Sequence, residues 1–206
     1  EKKEQKVFYR DFTLADRNAS GDKVLDAALE HIGASRDDLG GIVSTGYGRK
    51  AFHSADKAIT EIIAHGVGTV ALYPDVRTII DIGGQDSKVI EVDHGIVVKF
   101  EMNDKCAAGT GRFFEVLTSR LMGVDMDELS DMIAAADNPC QISSMCTVFA
   151  ESEIISHLSQ GESKEDIAAG VGWAIARRIT AMGRSGRIPY NDRIVFSGGV
   201  ANNHSI

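Results

Sequence analysis

Cysteine is scarce in this chain: three in 206 residues. That is too few for a disulfide scaffold, and an odd number leaves at least one thiol unpaired within the subunit. Excess positive charge is also missing. Twenty-two Lys and Arg against 30 Asp and Glu give a net charge of -8 and a pI near 5.2, so no positive field gathers nucleic-acid phosphates or anionic lipid. No apolar run approaches the roughly 20 residues that span a bilayer, and the opening EKKEQK is charged rather than signal-like. These absences predict a cytoplasmic protein with neither nucleic acid nor membrane as a partner. Neither a G-x-x-x-x-G-K-[ST] loop nor a G-x-G-x-x-G fingerprint occurs, and there is no repeat of fixed period and no low-complexity linker.

What is present is an ordinary globular composition, 43% hydrophobic and 25% charged, laid out as alternating strands and helices. KVFYRDF (Lys6 to Phe12) has strand character. Val24, Leu25, Ala28, Leu29 and Ile32 then fall at helical spacing before Gly33. GIVSTGYGRK is a short apolar run breaking into a glycine turn, followed by a helix from about Ala55 to His65, closed by glycine. RTIIDIGG reads as a buried strand. SKVIEVDHGIVVKFEM reads as a hairpin turning at Asp93-His94-Gly95. Helices are expected from about Gly111 to Met122, Thr147 to Ser159 and Lys164 to Gly183, and DRIVFSGGVANN returns to a strand ending in glycines. The expected boundary lies near Pro74, giving domains 1–74 and 75–206. Trp173, among Val171, Ala174 and Ile175, reads as core or interface.

Two glycine turns fit nucleotide chemistry. In TIIDIGGQDSKVI a strand runs through Asp81, and Gly83-Gly84 can present bare backbone N–H groups to an anion beside Gln85. Asp86 and Lys88 follow on the next strand. Asp81 and Asp86 are candidates to hold Mg²⁺ through water or to position an attacking water; the alternative is a plain hairpin with acidic residues facing solvent. In VFSGGVANN, Gly198 and Gly199 would let a base and ribose lie against the backbone, with Asn202 close by.

Cys106, in MNDKCAAGTGRFFEVL, precedes the turn Gly109-Thr110-Gly111 and a helix. Cys146, in SSMCTVFAESEIISHL, precedes another. A helix N-terminus favours negative charge, so both thiols would tend toward thiolate and toward soft metals. No C-x-x-C pairs them, which excludes a zinc ribbon or a thioredoxin-type pair, and two ligands are half of what a four-thiolate cluster needs. A two-fold dimer would complete four thiolates around one 4Fe–4S cluster. The alternative is two buried structural cysteines. Cys140, in DNPCQI, reads as a bystander.

STGYGR, DIGGQDSKVI, MNDKCAAGTGRFFEV, SSMCTVFAESEIISHLSQG and SGGVANN, in this order, closely resemble the ATP-dependent activators of 2-hydroxyacyl-CoA dehydratases, relatives of the ATPase subunits of benzoyl-CoA reductase. The glycine turns are shared with the wider superfamily of acetate and sugar kinases, actin and the large heat-shock chaperones. The resemblance implies an α/β, actin-like ATPase fold of two related α/β domains. It implies a homodimer holding one 4Fe–4S cluster on Cys106 and Cys146 of each subunit. It also implies ATP or ADP with Mg²⁺ at a site where Asp81 and Asp86 are catalytic and Gly83, Gly84, Gln85, Lys88, Gly109, Thr110, Gly111, Gly198, Gly199 and Asn202 bind the cofactor. The activity implied is ATP-driven transfer of one electron from ferredoxin or flavodoxin to an iron–sulfur acyl-CoA dehydratase, in an anaerobic setting. The family's first strand and first phosphate loop, near DxGSTxxK, have no counterpart before Glu1, and the chain stops at Ile206 beside the adenosine motif. A small-molecule kinase of the same superfamily and a nucleotide-dependent binding module are the rival readings; neither needs paired thiolates at helix starts.

Overall fold

The computed structural model describes residues 7–143, 146–190 and 193–206. It divides into a unit ending at His65 and a unit from Gly66 to Ile206.

The first unit is built on α1 (Arg17–Ile32), capped by the Asp16 side chain, which accepts from the Ala19 N–H, and ended by Gly33 in the left-handed region (φ 67°). Beside it lies a two-stranded parallel sheet of β1 (Val43–Ser44) and β2 (Lys57–Ala58). Two expectations fail here. Residues 7–14 form no strand: they find no partner strand among the described residues, and Phe8 and Phe12 are exposed. Ala55 does not begin a helix either, because the backbone there is already paired. The Asp56 N–H donates to the Ile42 carbonyl at 2.9 Å and the Ile59 N–H to the Ser44 carbonyl at 2.9 Å. The helix, α2 (Glu61–Leu72), starts only after Thr60, whose hydroxyl accepts from the Ile63 N–H at 3.4 Å. It also runs on through Gly66 instead of stopping. A Cβ at Gly66 would lie 2.2 Å from a Val97 methyl, so this glycine permits close helix–strand packing rather than a helix end.

The second unit carries a four-stranded sheet of β3 (Thr78–Ile82), β4 (Ser87–Asp93), β5 (Ile96–Asn103) and β6 (Ile194–Ser197), in the order β5-β4-β3-β6. The expected hairpin is β4–β5. His94 and Gly95 both take positive φ (48° and 77°), the geometry of a two-residue turn matched to strand twist. β6 pairs parallel to β3, so its connection must cross over through helices. Those helices are α3 (Gly111–Glu115), continued by a π-helical segment (Val116–Met122), then α4 (Met126–Ala134), α5 (Thr147–Ser159) and α6 (Lys164–Ser185).

α4 goes unread in the periodicity although its start is written in the sequence. Asp125 accepts from the Glu128 N–H at 2.9 Å while Glu128 accepts from the Asp125 N–H at 3.4 Å, a reciprocal cap. The core joins Ile82 and Val89 of the sheet to Phe113, Phe114, Leu117, Leu129, Ile154, Ile167 and Val171 of the helices. Phe113, Phe114, Leu117 and Leu129 are at most 1% exposed, and each such burial contributes roughly 1.5–3 kcal/mol. Trp173 is not core: it is 58% exposed on α6. No helix among the described residues is long and apolar enough to cross a membrane.

Candidate functional site

Strand register assembles the charged centre. β3 and β4 pair with Asp81 opposite Lys88, and β3 and β6 pair with Asp81 beside Ser197. The Lys88 ammonium therefore reaches Asp86 Oδ1 at 2.5 Å and Asp81 Oδ2 at 3.4 Å, and the Ser197 hydroxyl lies 3.3 Å from Asp81 Oδ1. All three charged residues are buried, at 5–7% exposure. This excludes the plain solvent-facing hairpin. With these groups out of water, removing the ammonium would leave the carboxylates poorly compensated, which makes Lys88 hard to replace.

The turn between β3 and β4 closes on itself through the Gly83 N–H and the Asp86 carbonyl, at 2.9 Å. Its own carbonyls then accept from the start of α3: Gly111 N–H to Gly83 O at 2.8 Å and Arg112 N–H to Gly84 O at 3.0 Å. The first amides of this helix are thus already satisfied, and the glycine turn and the helix after the cysteine loop are joined by backbone.

Gly198 ends β6 with φ 88° and ψ 173°. A Cβ there would sit 2.3 Å from the Ile82 carbonyl oxygen and 2.9 Å from Asp81 Oδ1. The second glycine turn therefore abuts the first, which only a residue without a side chain allows.

Beyond these turns opens a cleft of about 780 Å³, within the range of small-molecule sites. Gly84, Gly111, Gly199 and Asn202 line it. So do Arg112 and Glu115 of α3 and Ser130 and Asp131 of α4, four residues that sequence reasoning missed. The capping pattern Asp125-x-x-Glu128 was the signal that could have located α4. The far end is held by the Ser205 hydroxyl donating to the Ser130 carbonyl at 2.7 Å and the His204 N–H donating to the Ser130 hydroxyl at 3.1 Å. A second cavity of about 460 Å³ shares Gly84, Arg112 and Glu115 with the first and adds Gln85, Thr110 and Cys106.

The Cys106 loop is pinned from both sides. The Asn103 amide donates to the Cys106 and Ala108 carbonyls at 2.9 and 2.8 Å. The Thr110 hydroxyl, fully buried, donates to the Ala107 carbonyl at 2.7 Å. Gly109 (φ 87°) lets the Arg178 side chain lie against it. The N-cap of α3 is Thr110, so Cys106 lies one turn ahead of the helix rather than at its first amides. Cys146 is itself the N-cap of α5 and lines neither cavity. Both thiols are free and half-buried. Cys140 is likewise free; burial, then the carboxylates of Glu162 and Asp166, push its thiol up from the usual range.

An α/β unit with two abutting glycine turns, a buried Asp–Lys–Asp cluster and a cleft beside them has the make-up of a nucleotide site. The chain belongs to the BadF/BadG/BcrA/BcrD ATPase family, whose profile matches residues 2–206. It is 45% identical over 185 residues to the 2-hydroxyisocaproyl-CoA dehydratase activator of Clostridioides difficile, an alignment covering 89% of this chain and 68% of that protein. It is 42% identical over 183 residues to the (R)-2-hydroxyglutaryl-CoA dehydratase activating ATPase of Acidaminococcus fermentans, covering 88% and 69%. Among solved structures, component A of the Acidaminococcus fermentans (R)-2-hydroxyglutaryl-CoA dehydratase superposes with a TM-score of 0.81 at 40% identity, covering 91% of this chain and 71% of that one. The activator of the 2-hydroxyisocaproyl-CoA dehydratase from Clostridium difficile, with bound ADPNP, superposes at 0.79 and 44% identity, covering 91% and 69%. The α/β ATPase fold expected from the sequence is therefore the fold present.

Proposed function

We propose that this chain is an ATP-hydrolysing activator of an iron–sulfur 2-hydroxyacyl-CoA dehydratase, and that it delivers one electron, received from ferredoxin or flavodoxin, to that partner. The observation that carries this reading is the backbone junction between the glycine turn and the cysteine loop. The carbonyls of Gly83 and Gly84 accept from the first amides of α3, the helix that directly follows Cys106. A phosphate lost or gained at the turn shifts the same few residues that position the thiol, so nucleotide state and thiol environment change together.

ATP is held, in this reading, along the large cleft, with its phosphates toward Gly84 and its adenosine along Gly199 and Asn202, which line it; the Gly83 N–H is spent on the Asp86 carbonyl, Gln85 lines the adjoining cavity, and Gly198 lets the second turn pass close to the first. Asp81 and Asp86 are the carboxylates through which a Mg²⁺ ion would be held by way of water. Asp81 and Asp86 then orient the attacking water. Gly109, Thr110 and Gly111 set the path of the chain between this site and Cys106.

Among the described residues no group of three or more His, Cys, Asp or Glu could hold a metal. Cys106 and Cys146 would supply two thiolates per chain, half of a four-thiolate set. A second copy related by a two-fold axis supplies the other half. The start of α5 fits burial by such a copy: Val148 and Phe149, two and three residues after Cys146, are 64% and 63% exposed, and Ile155 on the same helix is 50% exposed. A 4Fe–4S cluster bound by these four thiols would supply one-electron transfer at low potential.

The test is iron and sulfide content, with absorption and electron spin resonance spectra, on anaerobically purified protein and on Cys106→Ala and Cys146→Ala variants. About four irons per dimer, lost in both variants, is the expected result. Iron-free protein that still hydrolyses ATP would overturn the electron-transfer reading and favour a kinase of the same superfamily.

A further inference from the structure

We infer that Arg112 is a nucleotide-binding residue whose guanidinium exchanges Glu115 for the polyphosphate. The inference rests on the ATP-binding part of the function proposed above and adds a residue to it.

The charge inventory of the cleft is the first observation. Of its lining residues, Arg112 is the one permanent cation among the described residues, against two carboxylates, Glu115 and Asp131. Two other cations stand nearby: Lys88, which is buried and already holds Asp81 and Asp86, and Lys105, which lines the adjoining cavity but not the cleft. The first amides of α3, which would otherwise favour an anion, are spent on the Gly83 and Gly84 carbonyls and on local turns. A triphosphate entering this cleft therefore finds Arg112 as its available charge partner.

Position is the second. The Arg112 N–H is fixed to the Gly84 carbonyl at 3.0 Å, so its Cα stands beside the glycine turn. Its side chain lines both cavities, on the wall between the cleft and the Cys106 pocket. The guanidinium is bonded to Glu115 at 2.8 Å, with both side chains more than half exposed. A surface i,i+3 pair of this kind is worth about a factor of two in an equilibrium. A planar guanidinium bonding two phosphate oxygens is stronger, so the exchange runs toward the nucleotide. Glu115, released, would then face the Cys106 cavity without its cation.

The experiment measures the affinities of ATP and of adenosine, side by side, for the parent protein and for R112Q, R112K and E115Q. R112Q is expected to weaken ATP by about tenfold or more, as for loss of a charge-assisted hydrogen bond, and to leave adenosine within about twofold. R112K, which keeps the charge but not the fork, is expected to recover part of the loss. E115Q, which frees the guanidinium, is expected to tighten ATP relative to adenosine. Equal losses of ATP and adenosine in R112Q, or an unchanged ratio, overturn the inference while ATP binding by the parent leaves the proposed function standing. If R112Q does not fold, E115Q decides: an unchanged ATP-to-adenosine ratio overturns the inference. A parent protein that binds neither ligand overturns the proposed function and this inference with it.

Discussion

Replacing Gly198 by alanine tests the claim that the two glycine turns are held together by the absence of a side chain. The residue has φ 88° and ψ 173°, a region that is essentially glycine-only and costs other residues about 1–3 kcal/mol. Its new Cβ would stand 2.3 Å from the Ile82 carbonyl oxygen, 2.5 Å from that carbonyl carbon and 2.9 Å from Asp81 Oδ1. Two of these atoms belong to the backbone of a central strand and cannot turn aside, so a further 1–3 kcal/mol or so of overpacking is expected. The sum is about 4 kcal/mol. At roughly 2–4 °C per kcal/mol for a chain of this size, Gly198→Ala should lower the thermal midpoint by about 8–16 °C. The neighbour provides an internal control: a Cβ at Gly199 would meet nothing within 4 Å, so Gly199→Ala should stay within roughly 2 °C of the parent. The assay is thermal unfolding followed by circular dichroism on all three proteins. A Gly198→Ala midpoint within 2 °C or so of the parent, or equal losses for the two variants, would refute the reasoning, since both glycines would then be equivalent turn residues.

Lys88→Met should be more damaging than an ordinary surface lysine change. It leaves Asp81 and Asp86 buried with the ammonium gone, and a broken buried ion pair costs about 3–5 kcal/mol; denaturant unfolding measures this directly. A loss under about 1 kcal/mol would mean that water or another group already neutralises the pair. Acid sensitivity should be visible at the start of α6. The Asn138 N–H donates to Asp166 at 2.7 Å and the Ser163 hydroxyl at 2.8 Å, which together hold this carboxyl below the usual carboxylate range. Because its folded value is depressed, the stabilisation is present above the unfolded value and is lost as pH falls through the folded one. Asp166→Asn should therefore lower the thermal midpoint at neutral pH, with the gap to the parent closing below about pH 4. A gap that stays constant down to pH 2 or so would show that charge at this position is irrelevant.

Local chemistry was legible wherever one residue type decides the outcome. Gly33 ends α1, α5 spans Thr147–Ser159 as expected, and α6, expected from Lys164 to Gly183, runs two residues further to Ser185. The glycine turns after β3 and β6, and the presence of two free thiols each placed shortly before a helix, could also be read directly. Expectations failed where pairing with a distant segment overruled local preference. Residues 56–59 carry good helix formers but bond to the backbone of residues 42–44. Residues 7–14 carry strand formers but have no strand to join among the described residues. α4 was missed because its periodic run is short, although its reciprocal Asp125–Glu128 cap was in view.

Composition, motif order and turn chemistry by themselves determined the α/β class, the family and the positions of the glycine turns and cysteines, because these depend on residue type and on neighbours a few positions away. Only the tertiary structure decided that Asp81, Lys88 and Ser197 stand side by side, because strand register, not spacing, sets which residues face each other. The same holds for Arg112 and Glu115 on the cleft wall and for the bonds from Gly83 and Gly84 to α3. The bonds from Gly83 and Gly84 to Gly111 and Arg112 join segments more than twenty residues apart in the chain, and it is the packing of helix on sheet that brings them within hydrogen-bonding distance.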